Sequence, residues 1–501
     1  MVELDAVTLT TFVIYLVAMV AIGVWVYRRT ATLADFALGG RKLNAPTAAL
    51  SAQASDMSGW LLLGLPGAVY AAGIGATWIA VGLAVGTYLN WLFVAPRLRT
   101  YTERAGNAVS LSSYFESRFE DRTRLLRVVS ALVILVFFTV YVASGLVAGG
   151  VLFEEVFGVD STLSITVAVL VIVLYAFLGG FLAVSFTDVV QGLLMFFALV
   201  LVPIVAVAGF GGFGAVRDAL RDKTPDLLDM GAEASFADGV WGDGGSLGFV
   251  AIVSLLAWGL GYFGQPHILA RFMGIRSADD VPTARRIGMS WVLITLTAAC
   301  LVGLIGVVAL DEPLDNPETV FIALTQQELA PWIAGLVLAA VLAAIMSTAD
   351  SQLLVSSTAL TEDFYHAFLN RDASERVLVW VGRAAVVAVA VVAYVMALSG
   401  GAVLDIVAYA WAGFGAAFGP VILLSLYWPR MTAAGAMAGI LGGAITVVVW
   451  RQVDALADTG WYEIVPGWIV ATVAAVLCGR FIGSPPERAW EGTTGEPAPA
   501  R

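Results

Sequence analysis

The sequence predicts an all-α polytopic membrane protein of thirteen transmembrane helices, N-terminus outside and C-terminus inside, around a core of two inverted five-helix repeats. Three observations carry this expectation. Long stretches hold no charge, Lys and Arg fall on one side, and two apolar segments at an odd spacing are broken by Gly and Pro.

Of the 501 residues, 60% are apolar and 13% charged, where a soluble domain carries about 25% charged residues. Residues 128–153, 163–187 and 189–216 contain no Asp, Glu, Lys or Arg. Each run exceeds the roughly 20 residues that span a bilayer as a helix. A β-barrel would show short alternating segments instead. Thirteen spans are expected, at about 7–27, 45–72, 75–96, 125–153, 162–180, 185–210, 247–270, 284–309, 329–359, 376–398, 402–427, 433–450 and 463–482. The first follows "MVELDAV", which is acidic where a cleavable signal is basic. Residues 1–482 read as one transmembrane domain, and the Pro/Gly-rich 483–501 as a disordered cytoplasmic tail. The longest hydrophilic pieces are about 97–124, 211–246 and 360–376; the first suits an interfacial helix or a solvated loop equally well.

Orientation follows from the basic residues. With the N-terminus outside, 22 of the 26 Lys and Arg fall on inner segments, leaving Arg217, Arg221, Lys223 and Arg451 outside. The inner set includes Arg28, Arg29, Arg41, Lys42, seven Arg between 97 and 127, and Arg271.

The net charge is −12 and the only lysines are Lys42 and Lys223. That balance suits a halophilic prokaryote, whose salty cytoplasm screens charge; an Arg-rich coding bias is the alternative. No basic patch invites nucleic acid. Cys300 and Cys478 stand alone, without disulfide or zinc spacing. The sequence lacks G-x-x-x-x-G-K-[ST], which argues against an ATP-driven pump, and no nucleophile–base set points to an enzyme.

The second span reads "SAQASDMSGWLLLGLPG" and the seventh "LLAWGLGYFGQPHILARF". Gly and Pro interrupt helices, and in lipid such breaks are tolerated only where they line a cavity. Five spans separate the two, so they run in opposite senses. Repeat one would cover about 45–210 and repeat two about 247–427, with 7–27, 433–450 and 463–482 as extra spans. Paired interruptions are the sequence pointer to a transporter's binding site.

"GLGYFG" at 259–264 fits a dinucleotide fingerprint only if a strand precedes it in an aqueous domain; here it lies in a span. Trp258 and Tyr262 stand at i, i+4, on one face if the helix persists, forming a substrate wall or ordinary packing. The ninth span holds Ser347, Thr348, Asp350 and Ser351 on one stripe. Membrane hydroxyls often bond their own backbone, but an Asp among them costs about 2.5–3.5 kcal/mol on insertion. Sodium wants hard oxygen ligands. Carbonyls freed in the second span and hydroxyls of the ninth provide them. Asp56 lies in the first break, as coupling carboxylate or N-cap; Asp188 reads as cap or cation pathway, and Asp405 as a cap. His267 and His366 are isolated, without the cluster a metal needs.

"ASDMSGWLLLGLPGAVYAAG", "LGGFLAVSFTDVVQ", "WGLGYFGQPHILARFM", "PWIAGLVLAAVLAAIMST" and "YAWAGFGAAFGPV" together resemble the sodium/solute symporter family, most closely its proline-carrying bacterial members, from about residue 7 to 480. The resemblance implies sodium-coupled uptake of L-proline across the cytoplasmic membrane by alternating access, with Na+ as coupling ion and no other cofactor. It implies a sodium site of the carbonyls of Ala54, Met57 and Ala344 and the hydroxyls of Ser347 and Thr348, with Asp56 beside it. It implies substrate contacts from Trp258, Tyr262, Pro266, Tyr141 and Ser144; Trp60 and Gln53, flanking the first break, are further substrate-binding candidates. "STADSQ" is more acidic than the family pattern, and Asp188, Asp350 and Ser351, with Ser347, would form a second sodium or coupling site. Alternatives are another small solute, such as a different amino acid or a monocarboxylate, or a transporter-like sensor.

Overall fold

The computed structural model describes residues 6–27, 38–178 and 180–486. Arg28, Arg29 and the expected tail from residue 487 onward lie outside the described residues.

Helices occupy every apolar segment. After α1 (Ala6–Tyr27) the first broken segment runs as α2 (Ala45–Asp56), a π-wound turn (Trp60–Gly64) and α3 (Leu65–Ala72). Asn44 starts α2 by accepting the Thr47 N–H, and Met57 ends it at φ −83°, ψ 80°. There follow α4 (Trp78–Leu89), continued through a π turn (Asn90–Val94) into α5 (Ala95–Arg104), then α6 (Leu111–Arg118), α7 (Leu125–Phe157), α8 (Ser161–Leu178) and α9 (Phe181–Phe210).

After α10 (Phe213–Lys223) and a β-hairpin comes the second broken segment. It comprises α11 (Phe249–Leu256), a 3-10 stretch (Ala257–Gly264) and α12 (Pro266–Gly274), bent by 45°. Pro266 opens α12 and leaves Gln265 extended, because a residue before proline avoids the helical region. The remaining helices are α13 (Val281–Ala309), α14 (Val320–Glu328), α15 (Pro331–Thr358) with a π-wound extension (Ala359–Leu369), α16 (Glu375–Ala397), α17 (Val403–Tyr427), α18 (Ala433–Gln452) and α19 (Ile464–Phe481). Among the described residues, nine helical segments are long and apolar enough to cross a membrane, ten if the bent pair is one span.

The two broken segments form the centre. The first packs through α2 on α9, α13 and α15; the second lies on α4, α5 and α17, and α12 touches α2. Gly59 marks why the first break sits where it does. A Cβ there would lie 2.8 Å from Ala148 Cβ on α7 and 3.2 Å from Ile345 Cγ1 on α15. Only a bare backbone admits both helices so closely.

The segments ahead of α2 and behind α12 are joined by main chain. Leu43 N–H donates to Gly274 O (3.2 Å) and Arg276 N–H to Leu43 O (2.9 Å), an isolated parallel bridge. Arg41 donates to Met273 O at 2.6 Å, and Arg99 to the carbonyls of Ile275 and Arg276.

The stretch 97–124 carries α6, most of whose side chains are buried against the rest of the chain. Ser110 and Ser113 form its capping box, Tyr114 Oη pairs with Ser425 Oγ at 3.0 Å, and Arg118 donates to Ser425 O at 3.0 Å. The stretch 211–246, read from sequence as a hydrophilic loop, contains α10 and an antiparallel hairpin, β1 (Ala232–Ala237) and β2 (Val240–Ser246). Trp241 pins the hairpin to the end of α3, donating its indole N–H to Tyr70 O at 2.8 Å.

Glu318, in the loop before α14, accepts the N–H groups of Val403 and Leu404, both at 2.9 Å, and so caps α17. Burial pushes its carboxyl above the usual range, against the pull of these two donors. A carboxyl so raised binds its proton more tightly folded than unfolded, so its stabilising part fades as pH rises through that window. Glu318→Ala should lower stability by about 1 kcal/mol, the usual worth of a helix cap, read as the thermal midpoint in detergent.

Candidate ion and solute site

The structure brings α2 and α15 together at the expected oxygens. Ser347 Oγ donates to Ala54 O at 2.7 Å and lies 3.1 Å from Ala344 O, and Thr348 Oγ1 lies 3.4 Å from Ala54 O. All four residues are buried, as is Met57, the C-cap of α2. Ala54 O is accessible because α2 stops two residues later, so the break frees the acceptor. With the hydroxyl hydrogens turned away, a monovalent cation there would meet only oxygen lone pairs, the hard donor set expected for sodium.

Asp56 crosses to the other broken segment. Its Oδ2 accepts the Tyr262 hydroxyl at 2.6 Å, and its Oδ1 has no partner among the described residues. Trp60 donates its indole N–H to Asp56 O at 3.2 Å, closing the break on itself. Asn90 Nδ2 donates to Tyr262 O at 2.9 Å, and Trp411 meets the Tyr262 ring edge-on at 5.0 Å. Tyr141 lies edge-on to His267 at 6.1 Å, and Pro266 is the first residue of α12.

The sequence model of the family described as "Sodium:solute symporter family" matches residues 36–443. The chain belongs to that family. It is 49% identical over 491 residues to a sodium/proline symporter of Escherichia coli (strain K12), covering 96% of this chain and 94% of that one. It is 48% identical over 471 residues to the high-affinity proline transporter PutP of Bacillus subtilis (strain 168), covering 93% and 96%. A solved Na+-coupled sialic acid symporter in a substrate-bound outward-open state shares the fold, with TM-score 0.78, 20% identity, and coverage of 97% of this chain and 100% of that one. Its likeness speaks to fold alone. The named relatives are an enteric bacterium and a Bacillus, so the halophilic origin expected above rests on composition only.

In this symporter two expectations are corrected. The first concerns Trp258 and Tyr262, which do not share a face. Residues 257–264 wind as a 3-10 helix, where four residues turn the chain about 120° past a full turn rather than the modest offset of an α-helix. Trp258 therefore stacks on Tyr462 (5.5 Å, 28°), while Tyr262 turns to Asp56. The second concerns the second ion site, where Arg271, wholly buried in α12, stands. Its guanidinium donates to Asp188 Oδ2 (3.1 Å), Ser51 Oγ (3.2 Å), His267 O (3.0 Å) and Ser351 Oγ (2.5 Å). A protein cation thus stands between Asp188 and Ser351, where the sequence reading put a second ion. Asp188, read as cap or pathway, is buried as the acid of that ion pair. Asp350 keeps both oxygens unpartnered among the described residues.

Ser144 Oγ donates to Tyr141 O at 2.6 Å. Gln53 turns towards α13, where a Cβ at Gly288 would lie 3.2 Å from its Nε2. Sequence reasoning missed Arg271, Asn90 and Trp411 as site residues. The usable signal for the first was an Arg and an Asp each inside an apolar segment, which burial obliges to pair.

Proposed function

We propose that this symporter resides in the cell membrane and takes up L-proline with sodium by alternating access. What supports this most is the oxygen set of Ala54, Ala344, Ser347 and Thr348 beside the Asp56–Tyr262 bond, in a chain about half identical to a protein named a sodium/proline symporter. Sodium would sit on the carbonyls of Ala54, Met57 and Ala344 and the hydroxyls of Ser347 and Thr348. Tyr262, Tyr141, Trp60 and Pro266 would face the solute, with Trp258 supporting that wall from behind. Each sodium ion moving inward contributes about 2.3 kcal/mol per 100 mV, plus its concentration term.

In topology the reading is thirteen crossings with the N-terminus outside, repeats at about 45–210 and 247–427, and a lipid-embedded surface. The positive-inside pattern and the paired breaks support it.

The test is labelled L-proline uptake into proteoliposomes under an imposed sodium gradient, a proton gradient or none. Uptake driven by sodium alone is expected, and competition by a panel of amino acids and monocarboxylates ranks the solutes. Ser347→Ala and Thr348→Ala should each raise the sodium concentration for half-maximal uptake about tenfold or more, the loss of one strong ligand contact. Unchanged sodium dependence in both variants would sink the ion assignment.

A further inference from the structure

Tyr462 reaches the second broken segment from the far end of the chain. It lies just ahead of α19, well past residue 427, where the second repeat is proposed to end. Three contacts fix it. Its ring stacks on Trp258 at 5.5 Å and 28°. Its backbone N–H donates to Ser254 Oγ on α11 at 3.0 Å, and its hydroxyl donates to Ala408 O on α17 at 2.7 Å. Ser254 Oγ in turn donates to Gly460 O at 3.4 Å, so the chain entering α19 is fastened to α11 on both sides of Tyr462.

Trp258 has reason to be held from outside. It sits in the 3-10 stretch, whose hydrogen bonds are poorer than those of an α-helix. Its neighbour Gly259 presses bare main chain against Gly82 and Gly86 of α4, which leaves no side chain there to brace the indole. The Trp258 carbonyl accepts the Trp411 indole N–H at 2.7 Å. The Trp411 ring meets Tyr262 edge-on at 5.0 Å, and Tyr262 donates to Asp56. A continuous line of contacts therefore runs from Tyr462 through Trp258 and Trp411 to the bond that joins the two broken segments.

We propose that Tyr462 is a positioning residue for solute binding. It touches neither solute nor ion; it sets the place of Trp258 and, through Trp411, of Tyr262. This rests on the proline-uptake reading above. Tyrosine suits the task, because its face stacks while its hydroxyl anchors the ring to a carbonyl. A ring that only filled space would differ in one measurable respect. Its loss would lower the folded fraction and leave the affinity of the folded protein unchanged.

The experiment is equilibrium binding and sodium-driven uptake of labelled L-proline by the full chain, per folded protein. The proteins compared are wild type, Tyr462→Leu, Tyr462→Phe, Trp258→Leu and the double variant Trp258→Leu/Tyr462→Leu. Wild type is measured first, and if it neither binds nor carries proline, the uptake reading itself fails. With wild type active, Tyr462→Leu should raise the half-saturating proline concentration about three- to tenfold, the worth of one aromatic pair. Maximal uptake and the half-maximal sodium concentration should stay within about twofold. Tyr462→Phe keeps the stack and should recover most of the loss. In the Trp258→Leu background, Tyr462→Leu should add less than about twofold, because its effect passes through Trp258. Proline affinity within about twofold of wild type in Tyr462→Leu, or the full loss repeated in the Trp258→Leu background, would overturn the proposal and leave Tyr462 as packing.

Discussion

Replacing Arg271 by Gln is expected to remove most of the folded protein. The guanidinium and Asp188 are both fully buried, and the guanidinium also holds Ser51 on α2 and Ser351 on α15. Removing one member of a buried ion pair strands the other charge, at about 3–5 kcal/mol, a large part of what holds most domains together. Lys should not rescue it. An ammonium is a point charge, whereas the planar fork of Arg reaches several partners at fixed angles. The double variant Asp188→Asn/Arg271→Gln should regain much of the loss, because no unpaired charge remains. The thermal midpoint and the fraction of monodisperse protein in detergent read this out as a double-mutant cycle. A single Arg271→Gln variant as stable as wild type would show that the pair contributes little.

The second large effect is expected at Asp56. Among the described residues no Lys or Arg pairs with this carboxylate, which is 1% exposed. A buried carboxyl with no protein counter-ion either holds its proton or needs a mobile cation for compensation, and the oxygens proposed above to hold sodium at Ala54 lie two residues away in sequence. Asn at this position keeps an oxygen that can accept the Tyr262 hydroxyl, so the junction between the broken segments survives while the charge is lost. Sodium-driven proline uptake should fall about a hundredfold or more in Asp56→Asn, as when a buried charged contact is removed, with thermal stability near that of wild type. Normal uptake would reduce Asp56 to a structural fastener of the break.

The helices were legible because burial in lipid demands long charge-free runs, and the breaks because Gly and Pro cannot hide in such runs. Ser347 and Thr348 could be singled out because α15 is unbroken and keeps them on one stripe, whereas the carbonyls of Ala54, Met57 and Ala344 were implied only by the family resemblance. What could not be read were pairings between distant residues. Tyr262 lies 206 residues from Asp56, and Arg271 lies 83 residues from Asp188; each choice of partner is made by packing. The Trp258–Tyr262 expectation failed on local winding, since three glycines lie within 257–264 and leave the backbone free to tighten. The hairpin was missed because "AEASFA" and "VWGDGGS" are rich in small and polar residues with weak strand preference.

The main-chain bridge between Leu43 and Ile275 bears on kinetics. With the start of α2 and the end of α12 tied by backbone hydrogen bonds, neither half-helix can tilt alone without tearing that bridge. The two retain one joint degree of freedom, as if riveted at the base. Deuterium should therefore enter the Leu43 and Arg276 amides at a common, slow rate set by concerted opening of the pair, and cycling between sodium-bound and sodium-free states should leave that rate little altered.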